Sequence, residues 1–157
     1  MRQKFARRSI LGFGVGGAGA ALLGLTSRGQ AAPASFNATL NATSEVPPNQ
    51  SPATGTATVT YDDATKTVTW KGTFTGLSGP ATAAHIHGPA EAGKNAGVIV
   101  PISQAGTPFA SPFEGSAKLA DDKAAALASA LGAGQAYVNI HTAANPGGEV
   151  RGQLAKA

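Results

Sequence analysis

The sequence contains no cysteine. Disulfides, thiolate zinc sites, iron–sulfur clusters and thiol nucleophiles are therefore excluded, and stability must come from packing and backbone pairing. Charge is also scarce, with Asp, Glu, Lys and Arg making up 13% of the chain. Five of the 12 basic residues (Arg2, Lys4, Arg7, Arg8, Arg28) and none of the 8 acidic ones lie in residues 1–34, so the remainder carries seven against eight, a net charge of −1. A nucleic-acid footprint needs clustered Lys and Arg, and after residue 34 they are scattered. No G-x-S-x-G elbow exists to hold a serine nucleophile. The apolar run Ile10 to Leu25 falls short of the ~20 residues of a membrane span, and six glycines dilute it.

What the N-terminus does contain is the three-part pattern of an export signal. The basic segment holds Arg7-Arg8-Ser9-Ile10-Leu11, the apolar run follows, and Gln30-Ala31-Ala32-Pro33-Ala34 closes it with small residues. The paired arginines resemble the twin-arginine signal, which implies export of an already folded protein. Residues 1–34 are thus expected to be a leader, cut after Ala31 or at Ala32-x-Ala34, with no stable membrane anchor left behind. Residues 35–157, about 123 in number, are enough for one domain that buries its own core. Its expected location is periplasmic or secreted.

Thr, Val, Ala and Gly dominate that domain, with turn residues every eight to twelve positions, the spacing of a β-sandwich or barrel. Strands are expected at Phe36–Leu40, Thr54–Tyr61, Thr67–Phe74, Ala83–His87, Val98–Ile102, Phe113–Leu119, Ala136–His141 and Glu149–Leu154. Thr54–Tyr61 and Thr67–Phe74 flank Asp62-Asp63-Ala64-Thr65-Lys66 as the clearest hairpin. Val59 and Tyr61 on one strand, with Val68, Trp70 and Phe74 on the other, are core candidates. One short helix is expected over Lys123–Leu131, capped by Asp121 or Asp122 and closed by Gly132. The expected fold class is all-β, a Greek-key-like antiparallel β-sandwich of about eight strands.

All 3 histidines sit in two similar strand ends, Ala84-His85-Ile86-His87-Gly88 and Val138-Asn139-Ile140-His141-Thr142. Side chains alternate along a strand, so His85 and His87 share a face opposite Ile86, while Tyr137, Asn139 and His141 share a face opposite Val138 and Ile140. With the isoleucines and valine in the core, the imidazoles leave on the outer side, and they converge if the two strands are neighbours. Three neutral imidazoles form a donor set for Cu(II) or Zn(II). A liganding imidazole usually donates its other N–H to an oxygen, for which Glu91, Tyr137 and Asn139 are the candidates. The alternative is that the histidines simply hydrogen-bond the adjoining loops.

The run His85-Ile86-His87-Gly88-Pro89-Ala90, then Gly97-Val98-Ile99-Val100-Pro101, then the block from Ala136-Tyr137-Val138-Asn139-Ile140-His141-Thr142 through Asn145-Pro146-Gly147-Gly148-Glu149-Val150-Arg151-Gly152-Gln153-Leu154, resembles the chordin-type (CHRD) domain. Phe36-x-Ala38-x-Leu40 with Glu45-Val46-Pro47-Pro48 resembles that family's start, so the likeness covers about residues 36–154. It implies an extracytoplasmic β-sandwich of the kind repeated in chordin, a secreted growth-factor antagonist, and found singly in bacterial proteins. It implies fold and location, and little about activity. The H-x-H strand also resembles, faintly, the copper half of Cu/Zn superoxide dismutase, but that family uses more histidines, an aspartate and usually a disulfide.

Other pairs have structural explanations. Asp62-Asp63 falls in a hairpin turn and Asp121-Asp122 at a helix start. Glu149 and Arg151, two apart, are expected to form a surface ion pair. Asn37-Ala38-Thr39 and Asn41-Ala42-Thr43 match the glycosylation sequon, which a bacterial leader argues against. The functional expectation is an exported, non-catalytic binding domain with a surface histidine site for copper or zinc. A module that binds an extracytoplasmic protein or matrix, with structural histidines, is the alternative. A copper-dependent oxidoreductase ranks third.

Overall fold

The computed structural model describes residues 31–103 and 109–157. Most of the proposed leader lies outside the described residues. Ala34, at the end of that segment, is paired with Tyr61. Nine strands and one α-helix are present among the described residues: β1 Ala34–Asn41, β2 Thr54–Asp62, β3 Thr67–Thr75, β4 Ala81–His87, β5 Val98–Pro101, β6 Phe113–Lys118, α1 Asp121–Gly132, β7 Tyr137–Thr142, β8 Val150–Gln153 and β9 Ala155–Lys156. The eight expected strands are all there, with β9 as a two-residue addition on β1. No helix among the described residues is long and apolar enough to cross a membrane.

The strands run as one antiparallel sheet in the order β5-β4-β7-β8-β1-β2-β3-β6. The sheet curls into a half-barrel, so the two layers expected of a sandwich are two ends of one hydrogen-bonded path. One core cluster draws on both ends, from Val100, Ile86, Ile140 and Val138 to Val59, Val68 and Trp70. α1 lays Ala124, Leu127, Ala130 and Leu131 on that core.

The β2–β3 hairpin forms as its sequence predicts. Val59 pairs with Trp70 and Tyr61 with Val68, which puts all four on the inner face, each buried; Phe74 is half-buried. The turn is fixed by Asp62, whose carboxylate accepts from the Ala64 and Thr65 amides, the usual habit of aspartate at a turn. Trp70 lies flat on Gly115 of the neighbouring strand, where a Cβ would collide with the indole. Glycine is needed at that close approach.

The helix ends differ from expectation. Its N-cap is Ala120, and no side chain caps it. Asp121 instead takes the Lys66 ammonium at 2.7 Å. Both aspartates lie in the first turn, where their charge favours the helix dipole. Gly132 remains helical, and the left-handed residue that ends the turn is Gly134 at φ 68°.

Candidate metal centre

The histidine site exists because β4 and β7 are neighbours. They pair antiparallel with His85 opposite Asn139, His87 opposite Tyr137 and Ala83 opposite His141. Directly paired residues lie on the same face of a sheet, and diagonal neighbours stay within reach of long side chains. His85, His87 and His141 therefore project together, and Ala83 leaves room for the His141 ring. On the opposite face Ile86, Val138 and Ile140 are completely buried.

The imidazoles meet. Nδ1 of His85 lies 3.1 Å from Nε2 of His141, and one nitrogen from each of the three rings lies within 4.8 Å of the other two. Metal–imidazole bonds are ~2.0–2.1 Å long, so two nitrogens on one ion stand ~3–4 Å apart. The His85–His141 pair already has that spacing.

The face carrying them is not the open outer surface that strand alternation alone implies. Residues 88–97 are strapped across it. The Ala96 carbonyl receives His87 Nδ1 at 3.0 Å, and the Ala96 amide donates to the Tyr137 hydroxyl at 3.1 Å. Arg151 donates to the Lys94 carbonyl at 2.7 Å and to Asn95 Oδ1 at 3.1 Å, while Gln153 donates to the Ala90 carbonyl at 2.8 Å. As a result His87 is buried, and His85 and His141 are half-buried.

Burial disfavours the imidazolium. It pushes His85 down to about 4, aided by the neighbouring His141 and His87. His87 is also lowered by burial, against the opposing pull of its hydrogen bond to Ala96. His141 is lowered for the same reason, against the Pro146 carbonyl. All three rings are thus neutral near pH 7, the form that ligates metals.

The hydrogen bonds then assign the tautomers. His141 donates from Nδ1 to the Pro146 carbonyl at 3.0 Å, which leaves its Nε2 lone pair to accept from His85 Nδ1. His87 donates from Nδ1 to Ala96, so its Nε2 is also a lone pair. That nitrogen lies 3.0 Å from the Asn139 amide oxygen, Oδ1. Two acceptors do not bond, and amide oxygen and nitrogen are distinguished only by their network. A neutral His87 therefore requires the Asn139 amide to be turned over, so that its NH₂ donates to Nε2 and occupies the lone pair a metal would use.

The three candidate supporting oxygens divide accordingly. Asn139 touches His87, but as a competitor for its free nitrogen. Tyr137 stacks on the His87 ring at 4.8 Å and 4° and gives its hydroxyl to Ala96. Glu91 is exposed in the strap; the oxygens that accept imidazole N–H groups are the carbonyls of Ala96 and Pro146.

The expected surface pair Glu149–Arg151 is corrected outright. Both residues are buried, at 0% and 1% exposure, and the only ion pair among the described residues joins Lys66 to Asp121. Glu149 accepts from Ser51 Oγ, Ser78 Oγ and N, and Thr142 Oγ1 at 2.5 to 2.7 Å. It ties the loops at 51 and 78 to the end of β7, next to His141. Arg151 sits 3.4 Å over the Tyr137 ring, so guanidinium, phenol and His87 imidazole form one stack. Curling of the sheet and the strap over it put both residues inside, which spacing along one strand does not reveal.

The CHRD domain family model matches residues 36–154, from the first strand to Leu154. The chain belongs to the CHRD domain family. No curated protein and no solved structure matches it. A CHRD domain is a non-enzymatic, binding-type domain, and in this one the histidine trio lies inside the matched span. The functional residues missed in the sequence are the two carbonyls and Arg151. Carbonyls carry no side-chain signature, and Arg151 reaches the histidine face only through its cross-strand pairing with Asn139.

Proposed function

We propose that this CHRD domain is an exported metal-binding protein, periplasmic or secreted, whose site is His85, His87 and His141 and whose preferred ion is copper. The observation that carries this reading is the convergence of every histidine in the chain, from strands 56 residues apart in sequence, on one small volume. Copper is favoured over zinc because imidazole donors follow the general affinity order, in which Cu(II) stands above Zn(II). Binding requires His85 to move its proton from Nδ1 to Nε2 and Asn139 to yield the His87 lone pair. His141 is already in the ligating tautomer. The test is a titration of the leaderless protein with Cu(II) and Zn(II), repeated after replacing the three histidines by alanine. Saturable one-to-one Cu(II) binding that disappears in the triple variant supports the site.

One observation favours a second reading. Each imidazole already has a protein partner, as structural histidines in a protein- or matrix-binding module would. Under that reading the triple variant binds Cu(II) as the parent does, and it loses stability instead.

A further inference from the structure

The path of the sheet begins at β5 and ends at β6, so each of these strands has a neighbour on one side only. β5 is four residues long, ends in Pro101, and has its Val98 carbonyl taken by the Lys123 ammonium at 3.4 Å. β6 has no such cover among the described residues. Its register with β3 tells which backbone groups point outward. Lys118 stands opposite Thr67, and the next amide, that of Leu119, donates to the Lys66 carbonyl at 2.9 Å. Bonded and non-bonded positions alternate along an antiparallel pair. Lys118, Ser116 and Glu114 are therefore the non-bonded positions, and their N–H and C=O groups face away from β3. No described residue bonds to them. A row of unpaired backbone groups on an edge is a template for another strand.

The side chains of those same residues say which strand fits. Glu114, Ser116 and Lys118 are all exposed on the outer face. Neither Glu114 nor Lys118 belongs to an ion pair among the described residues, although Lys71 stands directly across from Glu114. Opposite charges facing each other across a strand pair stabilise it, and like charges destabilise it. When β6 is laid antiparallel on a copy of itself, the register centred on Ser116 overlaps all three outward residues. It sets Glu114 opposite the partner's Lys118 at both ends. Registers centred on Glu114 or Lys118 oppose like charges instead. On the core side the same register places Gly115 against the partner's Ala117, two small residues that let the edges close. We propose that β6 pairs antiparallel with β6 of a second copy of this chain, about a two-fold axis at Ser116, so that one sheet runs through both subunits. The contact is isologous, as in most symmetric dimers. Glu114 then lies between Lys71 of its own chain and the partner's Lys118. The histidine strands β4 and β7 belong to the other end of the path and take no part in it.

The experiment is analytical ultracentrifugation of the purified protein over a concentration series reaching ~1 mM. A reversible monomer–dimer equilibrium is expected. Glu114→Lys sets lysine against lysine at both ends of the contact and should weaken association at least tenfold, as should Lys118→Glu. Combining the two restores opposite charges and should bring the dimer back. Ser116→Pro removes an outward N–H at a sheet edge, where proline is tolerated; it should keep the fold by circular dichroism and abolish the dimer. The two charge reversals sit at exposed positions and decide the matter even if the proline variant does not fold. The pairing is overturned if the protein stays monomeric throughout the series, or if a dimer forms that neither charge reversal weakens. It is equally overturned if the combined variant stays as weak as the single ones, or if a folded Ser116→Pro protein dimerises like the parent.

Discussion

His85 Nδ1 and His141 Nε2 face each other at 3.1 Å, joined by a hydrogen bond across two neighbouring strands. That contact ties His85, three residues before the strap, to His141 in the strand that leads into the loop ending at Glu149. Any ion bound there must replace the shared proton. His141→Ala should therefore lower Cu(II) affinity at least tenfold while leaving the fold intact, since the ring is half-buried and packs outside the core. Competitive titration against a coloured chelator reads this directly; an unchanged affinity would remove His141 from the site.

Asn139 gives a prediction of opposite sign. With its amide turned to donate, Asn139 occupies the lone pair of His87 Nε2, 3.0 Å away, so Asn139→Ala should tighten Cu(II) binding, by about fivefold if the lost hydrogen bond is worth ~1 kcal/mol. Were Asn139 instead a support that orients a ligand, its loss would weaken binding 10–100-fold. The direction of the change decides between the two roles.

Trp70 is 8% exposed, paired with Val59 and stacked on Gly115. Trp70→Ala removes the largest side chain of the β2–β3 core and should cost about 3–5 kcal/mol. Urea denaturation followed by circular dichroism measures it. A loss under ~1 kcal/mol would contradict the packing described for the hairpin.

The two buried glutamates make opposite pH statements. Burial acts to raise Glu149, but the hydrogen bonds from Ser51, Ser78 and Thr142 outweigh it and hold the carboxyl at about 2. A depressed folded-state pKa stabilises above the unfolded value near 4.5, and this contribution is lost as pH falls from there toward 2. Thermal midpoints should drop through that window, and Glu149→Gln should be less stable than the parent at pH 6, with the gap closing toward pH 2. On the linkage relation the effect is on the order of 3 kcal/mol at most.

Glu45, whose buried Oε1 has no hydrogen-bond partner, is raised to about 7 by burial. Its neutral form suits the fold, so the stability it allows is fully present below pH 4.5 and declines as pH rises through 7. Glu45→Gln should match the parent at pH 5 and exceed it at pH 8, by roughly 1–3 kcal/mol. Equal midpoints at both pH values would show that the carboxyl is not held in an apolar, unpaired setting.

The proposed export rests on Arg7 and Arg8, outside the described residues. Replacing both with lysine should leave the precursor in the cytoplasm, scored by fractionation and precursor size. Efficient export of the double variant would exclude the twin-arginine route.

Local chemistry determined most of the fold. Strand alternation in Thr54–Tyr61 and Thr67–Phe74, the Asp62 turn and the Leu127/Leu131 spacing each depend on a few consecutive residues, and each was legible in the sequence. So was the common face of His85 and His87, because a strand's side-chain period is two. Other features depended on which distant segments become neighbours. The approach of His141, the burial of Glu149 and Arg151, and the orphan oxygen of Glu45 all follow from β7 lying between β4 and β8 and from the strap folding over them. No residue's own sequence neighbourhood encodes that adjacency. It is decided when the sheet curls so that one core is buried by both its ends, and the charge environment of each side chain is set by that closure.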